Sequence, residues 1–568
     1  MAGAFSSAVG GSAVIASDAP TAGSLDLPRW TTPSFRRTPG AYPLGVEAVA
    51  FSQLGQVASG LPVLSRHPRY WSLYTYAVKR FWDTGRTPQN NVALGRFVRP
   101  HEVVFATAAL LCDRHEELPS IIGRDTFVPW LNQHPDGDLP LDLNYLQQSL
   151  GGYGQVYRGA MGDLGLILLA DNNPTVRLDA PFGDVGKALA DAFEAAIAGT
   201  TWARQYRDQV EGTIPLGVVR ELAQASCFCR LKDSATERDL LIKVLLGEVQ
   251  PPSESHRARA DTVRMFIDLA AATDGAALSE ERFWKLTTFG ADGDGGVWQP
   301  RANVQAIHRR WQVVCLRRLV NGVLNGMLVH LVRWGLEHGG TVRSLDLRDY
   351  GEAISRMTLP VAIGLGDACA GGIGLRKVAE GVHAAVWSQG WPPVAGAVSE
   401  PLGEPALRDL LDRGRHEAAP VIGLLLLLLA RERLRHLAEH VELSTAELRM
   451  LAESGDDRVG ISELFAWLDD KVACDQDVAD AAFELIRLRI IRQHLRIARG
   501  KLPEDTFRFR QEGGGLIFFD QGDRNGLNPV SMRFEAIGSA LAELGLLEAT
   551  LDQATHAPTE RGLQVLDG

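Results

Sequence analysis

The stretch from Ile307 to His338 contains no proline, and its apolar residues Leu316, Val320, Val323, Met327, Leu331 and Trp334 recur at intervals of three and four. That spacing lays one apolar stripe along an α-helix. A helix of this length extends about 48 Å, enough to serve as the spine of a helical body. Gly322 and Gly326 stand one turn apart and are expected to admit a second helix at close range. Asn321 and Asn325, likewise one turn apart, are expected to be buried with their amides satisfied by each other or by nearby backbone; orienting a ligand amide is the alternative. The run from Val421 to Ala430 in "VIGLLLLLLARERLRHL" is apolar on every side, which predicts a helix buried in a bundle. It falls well short of the roughly twenty residues that cross a bilayer as a helix. No membrane span is expected.

At 568 residues the chain exceeds what one core usually supports, and a prior of about 150 residues per domain suggests three or four units. Hydrophobic residues at 45% and charged residues at 22% exclude the disordered, collagen-like and membrane classes. Proline and polar residues in "EVQPPSES" at 248–255 and the glycine- and proline-rich stretch 390–405 mark candidate boundaries. The reading that results is mainly α and multidomain: a flexible leader (1–35), an N-terminal helical domain (36–247), a middle helical domain (256–390), a helical bundle segment (406–475) and a tail (476–568) holding a small β-hairpin. The leader has neither the basic start nor the apolar core of a secretory signal. With six scattered cysteines, this implies a reduced, cytoplasmic protein.

Two helices combine features suited to nucleic acid. Tyr70 to Trp82 carries Tyr70, Trp71, Tyr74, Tyr76, Phe81 and Trp82 beside Arg66, Arg69, Lys79 and Arg80, with Pro68 at its start. Core burial is the expected role of these aromatics, and stacking on bases is the alternative. The helix Asp477 to Gly500 is different. On an ideal projection Arg489, Arg492, Arg496 and Arg499 share an arc of about 80°, between flanks of leucine and isoleucine. Arg508 and Arg510 extend the positive balance into a hairpin, "TFRFRQEGGGLIFFD". Guanidinium groups donate paired hydrogen bonds to phosphate, so these six arginines are candidate contacts to a DNA or RNA backbone; neutralisation by an acidic protein surface is the competing role. The net charge of -11 requires any such contact to be a local patch.

No catalytic signature emerges. The weak phosphate-loop candidate is "VAIGLGDACAGGIGLRK", where Gly364, Gly366, Gly371 and Gly372 would admit a phosphate and Arg376 and Lys377 would neutralise it. Its spacing matches neither the dinucleotide fingerprint nor the Walker pattern, and an interhelical loop is the plainer reading. "PFGDVGKALAD" lacks the first glycine and the magnesium-binding hydroxyl of a phosphate loop, and "DGDGG" at 292–296 lacks two calcium ligands. Cys227 and Cys229 have no second cysteine pair at finger spacing and would leave a helix on opposite sides, so no metal site and no cofactor are expected.

The tail resembles winged-helix proteins. "LAELGLLE" is similar to the end of their recognition helix, and "PTERGLQVL" to their threonine-x-x-glycine entry into a final helix. The resemblance covers about forty residues and implies a C-terminal winged-helix-like module. It departs from DNA-reading members in that Arg533 is accompanied by Glu535 and Glu543, whereas base reading needs several donors. The whole chain resembles, without a diagnostic motif, uncharacterised helical proteins of bacterial phage-defence loci, and its preference for arginine over lysine suits a bacterium of high GC content. The expectation is a non-enzymatic component of a bacterial nucleic-acid-directed complex, antiviral by that resemblance, with protein partners. Two alternatives stand: an enzyme or nucleotide sensor using the loop 364–377, and an adaptor for an acidic protein.

Overall fold

The computed structural model describes residues 42–567, less 115–119, 173–175, 250–252, 274–277, 293–295, 340–346, 359–368, 388–403, 441, 455–458, 503, 513–514, 520–529 and 550–554. The expected leader and residues Gly364 and Gly366 lie outside the described residues. Helices make up 67% of the structure, against a few short antiparallel strand pairs, so the protein is mainly α and its core is helix on helix. Among the described residues no helix is long and apolar enough to cross a membrane.

The expected spine is the helix Gln305–Gly339. Around it pack the helices Glu47–Val57, Glu254–Ala271, Glu280–Phe289, Glu404–Arg413, Ala419–His440 and Thr445–Ala452. Ala419–His440 is buried as its sequence requires, with Leu424 to Leu429 sealed in the core. Gly326 admits a neighbour closely, since a Cβ there would stand 2.9 Å from Leu411 of Glu404–Arg413, whereas the same position at Gly322 is open. Asn321 and Asn325 are buried, and each donates to the first helix: Asn321 Nδ2 to the Val46 carbonyl at 3.2 Å, Asn325 Nδ2 to Glu47 Oε1 at 2.8 Å. They do not pair with each other.

In the N-terminal region Pro68 does start the helix Pro68–Asp83, which packs on Asn91–Leu110 and Gly183–Ile197. Its tyrosines join a buried ring cluster: Tyr70 stands 4.8 Å from Tyr157 and 4.6 Å from Phe228. The glycine-rich 149–169 stretch, compatible with helix or strand by sequence, contains a π-turn over Tyr153–Tyr157, then the helix Arg158–Asp163 and the short strand Ile167–Leu168. Beneath it Glu102 is fully buried and accepts from the Tyr74 hydroxyl at 2.7 Å and from the Gly152 and Tyr153 amides at 3.0 and 3.2 Å. Burial pushes its carboxyl above the ordinary range, while these donors pull the other way.

Glu47–Val57 packs on Glu254–Ala271 from the other side of 248–255, and Ala419–His440 packs on the helix that starts at Val478. A three-stranded sheet has the order Leu278–Ser279, Thr555–Pro558, Leu547–Ala549, with Leu278 and Ala549 both opposite His556. Glu254–Ala271, Glu280–Phe289, Phe534–Glu543 and Glu560–Asp567 surround it. Phe266, Phe283 and Phe534, one from each of the first three, close this unit with ring centroids 5.1–5.6 Å apart. The final strands and helix thus complete a unit begun in the middle of the chain. The hairpin Phe509–Glu512/Gly515–Phe518 is a separate two-stranded sheet, seated on the spine instead of beside the last helices.

Candidate functional site

The cationic face is built on one continuous run of helix comprising Val478–Leu485, a π-turn Ile486–Ile491 and Arg492–Gly500. Asp477 caps its start by accepting from the Ala479 and Asp480 amides at 2.9 and 3.2 Å. Ile486, Ile490, Ile491, Leu495 and Ala498 bury the inner side. Gln493 and His494 tie that side to the start of the described chain, Gln493 Nε2 donating to the Leu44 carbonyl at 2.8 Å and His494 Nδ1 to that of Pro43 at 3.1 Å. The Arg508 amide donates to His494 Nε2 at 2.9 Å. With one ring nitrogen donating and the other accepting, His494 is held neutral, and burial lowers its pKa to about 4.

The π-turn changes which arginines line up. The amide of Arg492 bonds to the carbonyl of Arg487, five residues back, so Arg487 lies one turn below Arg492. Arg487, Arg492, Arg496 and Arg499 are all exposed. Arg489, expected in the row, is turned aside, half-buried and paired with Glu463 at 2.8 Å. Arg496 Nη2 also donates to Gln493 Oε1 at 2.7 Å. The two hairpin arginines do not extend the row. Arg508 is 8% exposed. Arg510 pairs with Asp505 at 2.9 Å and lies 4.9 Å over the Phe507 ring. Of the six arginines singled out by sequence, Arg492, Arg496 and Arg499 form a shared open surface, and the ideal projection missed Arg487.

The described part of the glycine-rich loop already holds anions of its own. The Gly372 amide donates to Asp477 Oδ2 at 2.6 Å and the Arg376 amide to Asp475 Oδ1 at 3.0 Å. The Arg376 guanidinium donates to the Ala473 carbonyl at 2.5 Å. A Cβ at Gly374 would collide with the Asp475 carboxylate, so the close approach that glycine permits here is to an aspartate. Gly371 and Lys377 flank this contact, Lys377 exposed. The arrangement does the work of an interhelical clasp between Leu375–Trp387 and the 474–477 turn.

The helix Phe534–Glu543, in the place of a recognition helix by resemblance, is covered by its own chain. Glu535 pairs with Arg66, Glu543 with His67, and Arg533 Nη1 donates to the Ala58 carbonyl at 2.6 Å. Phe534, Ala536, Ile537, Ala540 and Leu541 are buried.

One group was invisible in the spacing. Cys227 and Cys229 do not share a helix: Leu216–Ser226 ends just before Cys227, whose ψ of 145 turns the chain into a 3-10 segment, Phe228–Asp233. Both thiols then converge on Cys112, which follows the helix Asn91–Leu110. Comparison with known families, with curated proteins and with solved structures finds no match.

Proposed function

We propose that the protein is a non-enzymatic component of a nucleic-acid-directed complex, and that it holds the phosphate backbone of DNA or RNA along Arg487, Arg492, Arg496 and Arg499. The observation that carries this reading is the row itself: four exposed guanidinium groups along one helix of a protein whose net charge is -11. The buried Gln493 and His494 beneath it fix the helix, so the row is preorganised. Contacts of this type position a nucleic acid without reading its sequence. Within the same proposal, the unit formed by 254–289 and 534–567 is a winged-helix-like module divided by a long insertion. Its third helix is used inside the protein, against residues 58–67, and not in a groove.

Four phosphates neutralised on duplex DNA give a slope of log K against log salt of about -3.6. Fluorescence anisotropy with labelled duplex and single strands across a salt series measures it. Replacing Arg492 and Arg496 by alanine should weaken binding and bring the slope to about -1.8. Binding with an unchanged slope removes the row from the proposal; no binding by the wild-type protein at low salt removes nucleic acid.

A further inference from the structure

We propose that Cys112, Cys227 and Cys229 form a thiolate site for a zinc-class divalent ion, tying together segments more than a hundred residues apart. Their three sulfurs lie within 4.8 Å of one another, and Cys112 Sγ stands 3.6 Å from Cys229 Sγ. A tetrahedral ion with metal–sulfur bonds of about 2.3 Å holds its sulfurs about 3.8 Å apart, so small adjustments bring the trio to coordination distance. Half of the chain's six cysteines meet here; Cys315 is buried elsewhere, and Cys369 and Cys474 are exposed.

The backbone around the trio suits a cation. Asn91–Leu110 and Leu216–Ser226 both end at the cluster, and the carbonyl end of a helix carries partial negative charge. The turn bearing Cys227 is held by a buried guanidinium, Arg69 Nη1 donating to the Cys227 carbonyl at 2.5 Å. Outside, the residues that follow Cys112 and Cys229 grip each other: Arg230 and Asp113 pair at 3.5 Å, and Gln224 Nε2 donates to Asp113 at 3.2 Å. Cys112 and Cys227 are buried and Cys229 is half-buried, which leaves the fourth tetrahedral position to water or another outside ligand arriving on the Cys229 side. Binding exchanges three S–H bonds for three metal–sulfur bonds and releases three protons to solvent; no electrons are transferred. A Cys112–Cys229 disulfide is the competing chemistry, but it would use two thiols and strand the third.

The test uses the full chain, purified reduced and without metal-affinity resin. Mass spectrometry of the metal content should find one zinc per chain. Cobalt(II) should replace it and give a thiolate charge-transfer band. Cys229→Ser should cut bound zinc at least tenfold, while Cys474→Ser leaves it intact. Should the cluster variant fail to fold, wild-type protein still decides, because chelation should expose three further thiols to a thiol reagent. Absence of zinc together with no cobalt band in reduced protein, or a Cys112–Cys229 disulfide found by peptide mapping of untreated protein, overturns the proposal.

Discussion

Two cation-bearing helices, Pro68–Asp83 and the run from Val478 to Gly500, differ in what the fold gives their charges. On and beside the first, every cation singled out by sequence meets an acid: Arg66 meets Glu535, Arg69 Glu237, Lys79 Asp83 and Asp191, Arg80 Asp208. Its Tyr70, Trp71, Tyr74, Tyr76 and Phe81 are at most 1% exposed, and Trp82 is partly buried against the core with its indole N–H on the Asp179 carbonyl at 2.8 Å, so the aromatic face is spent on packing. On the second, Arg487, Arg492 and Arg499 have no ion pair among the described residues. A positive charge answered within the fold serves stability; one left on an open helix face is available to something outside.

The sharpest way to break this contrast lies in the first helix. Arg69 makes a two-pronged pair with Glu237 at 3.2 and 3.3 Å, with both side chains buried. Arg69→Ala leaves a buried carboxylate uncompensated and should cost about 3–5 kcal/mol. Chemical denaturation measures the loss, and Arg69→Met with Glu237→Leu should recover much of it. A near-neutral Arg69→Ala would mean that this cation, too, is dispensable to the fold.

A smaller effect is expected under the second helix, at His494. Its pKa is depressed to about 4 by burial, so the unfolded chain binds a proton more readily than the folded one. The stability it contributes is therefore complete above the ordinary histidine range and is lost as pH falls from about 6.5 towards 4. Between pH 7 and pH 5 that amounts to about 2 kcal/mol. His101 and His308, also lowered to about 4 by burial, add to the acid sensitivity. In denaturation at the two pH values, His494→Gln should be less stable at pH 7 and lose less on acidification. An equal loss in both proteins would show that His494 is not held neutral as described.

The parts legible in the sequence are those set by periodicity over many turns. The spine, the all-apolar bundle helix and the burial of the Pro68–Asp83 aromatics follow from apolar spacing alone. What was not legible depends on local departures or distant closure. The sheet joining Leu278 to His556 uses strands of two to four residues, too short to carry an alternating pattern, and one of them is in the middle of the chain. The spacing predicts Cys227 and Cys229 on one helix, because the helix stop after Ser226 has neither glycine nor proline to announce it. Gly371 and Gly372 read more plainly as an interhelical loop than as a phosphate cradle, and the anions that meet this loop, Asp475 and Asp477, come from another helix end.

The finest test concerns the π-turn. An unbroken α-helix would place Arg489 in the row with Arg492, Arg496 and Arg499, and Arg487 on the other side of the helix. The wide turn exchanges them: Arg487 lies one turn below Arg492, while Arg489 goes to Glu463. If the row is a backbone-binding surface, Arg487→Ala should reduce the salt slope on duplex DNA by about 0.9, the contribution of one phosphate. Arg489→Ala should leave the slope unchanged. Both variants should retain their fold, since exposed substitutions of this kind usually stay within about 0.5 kcal/mol and partly exposed ion pairs are worth about 0–1 kcal/mol. The opposite pattern, with Arg489 mattering and Arg487 silent, would show that bound nucleic acid meets a regular helix and that the π-turn is absent in the working state. The pair of variants therefore separates the register of the row from its function.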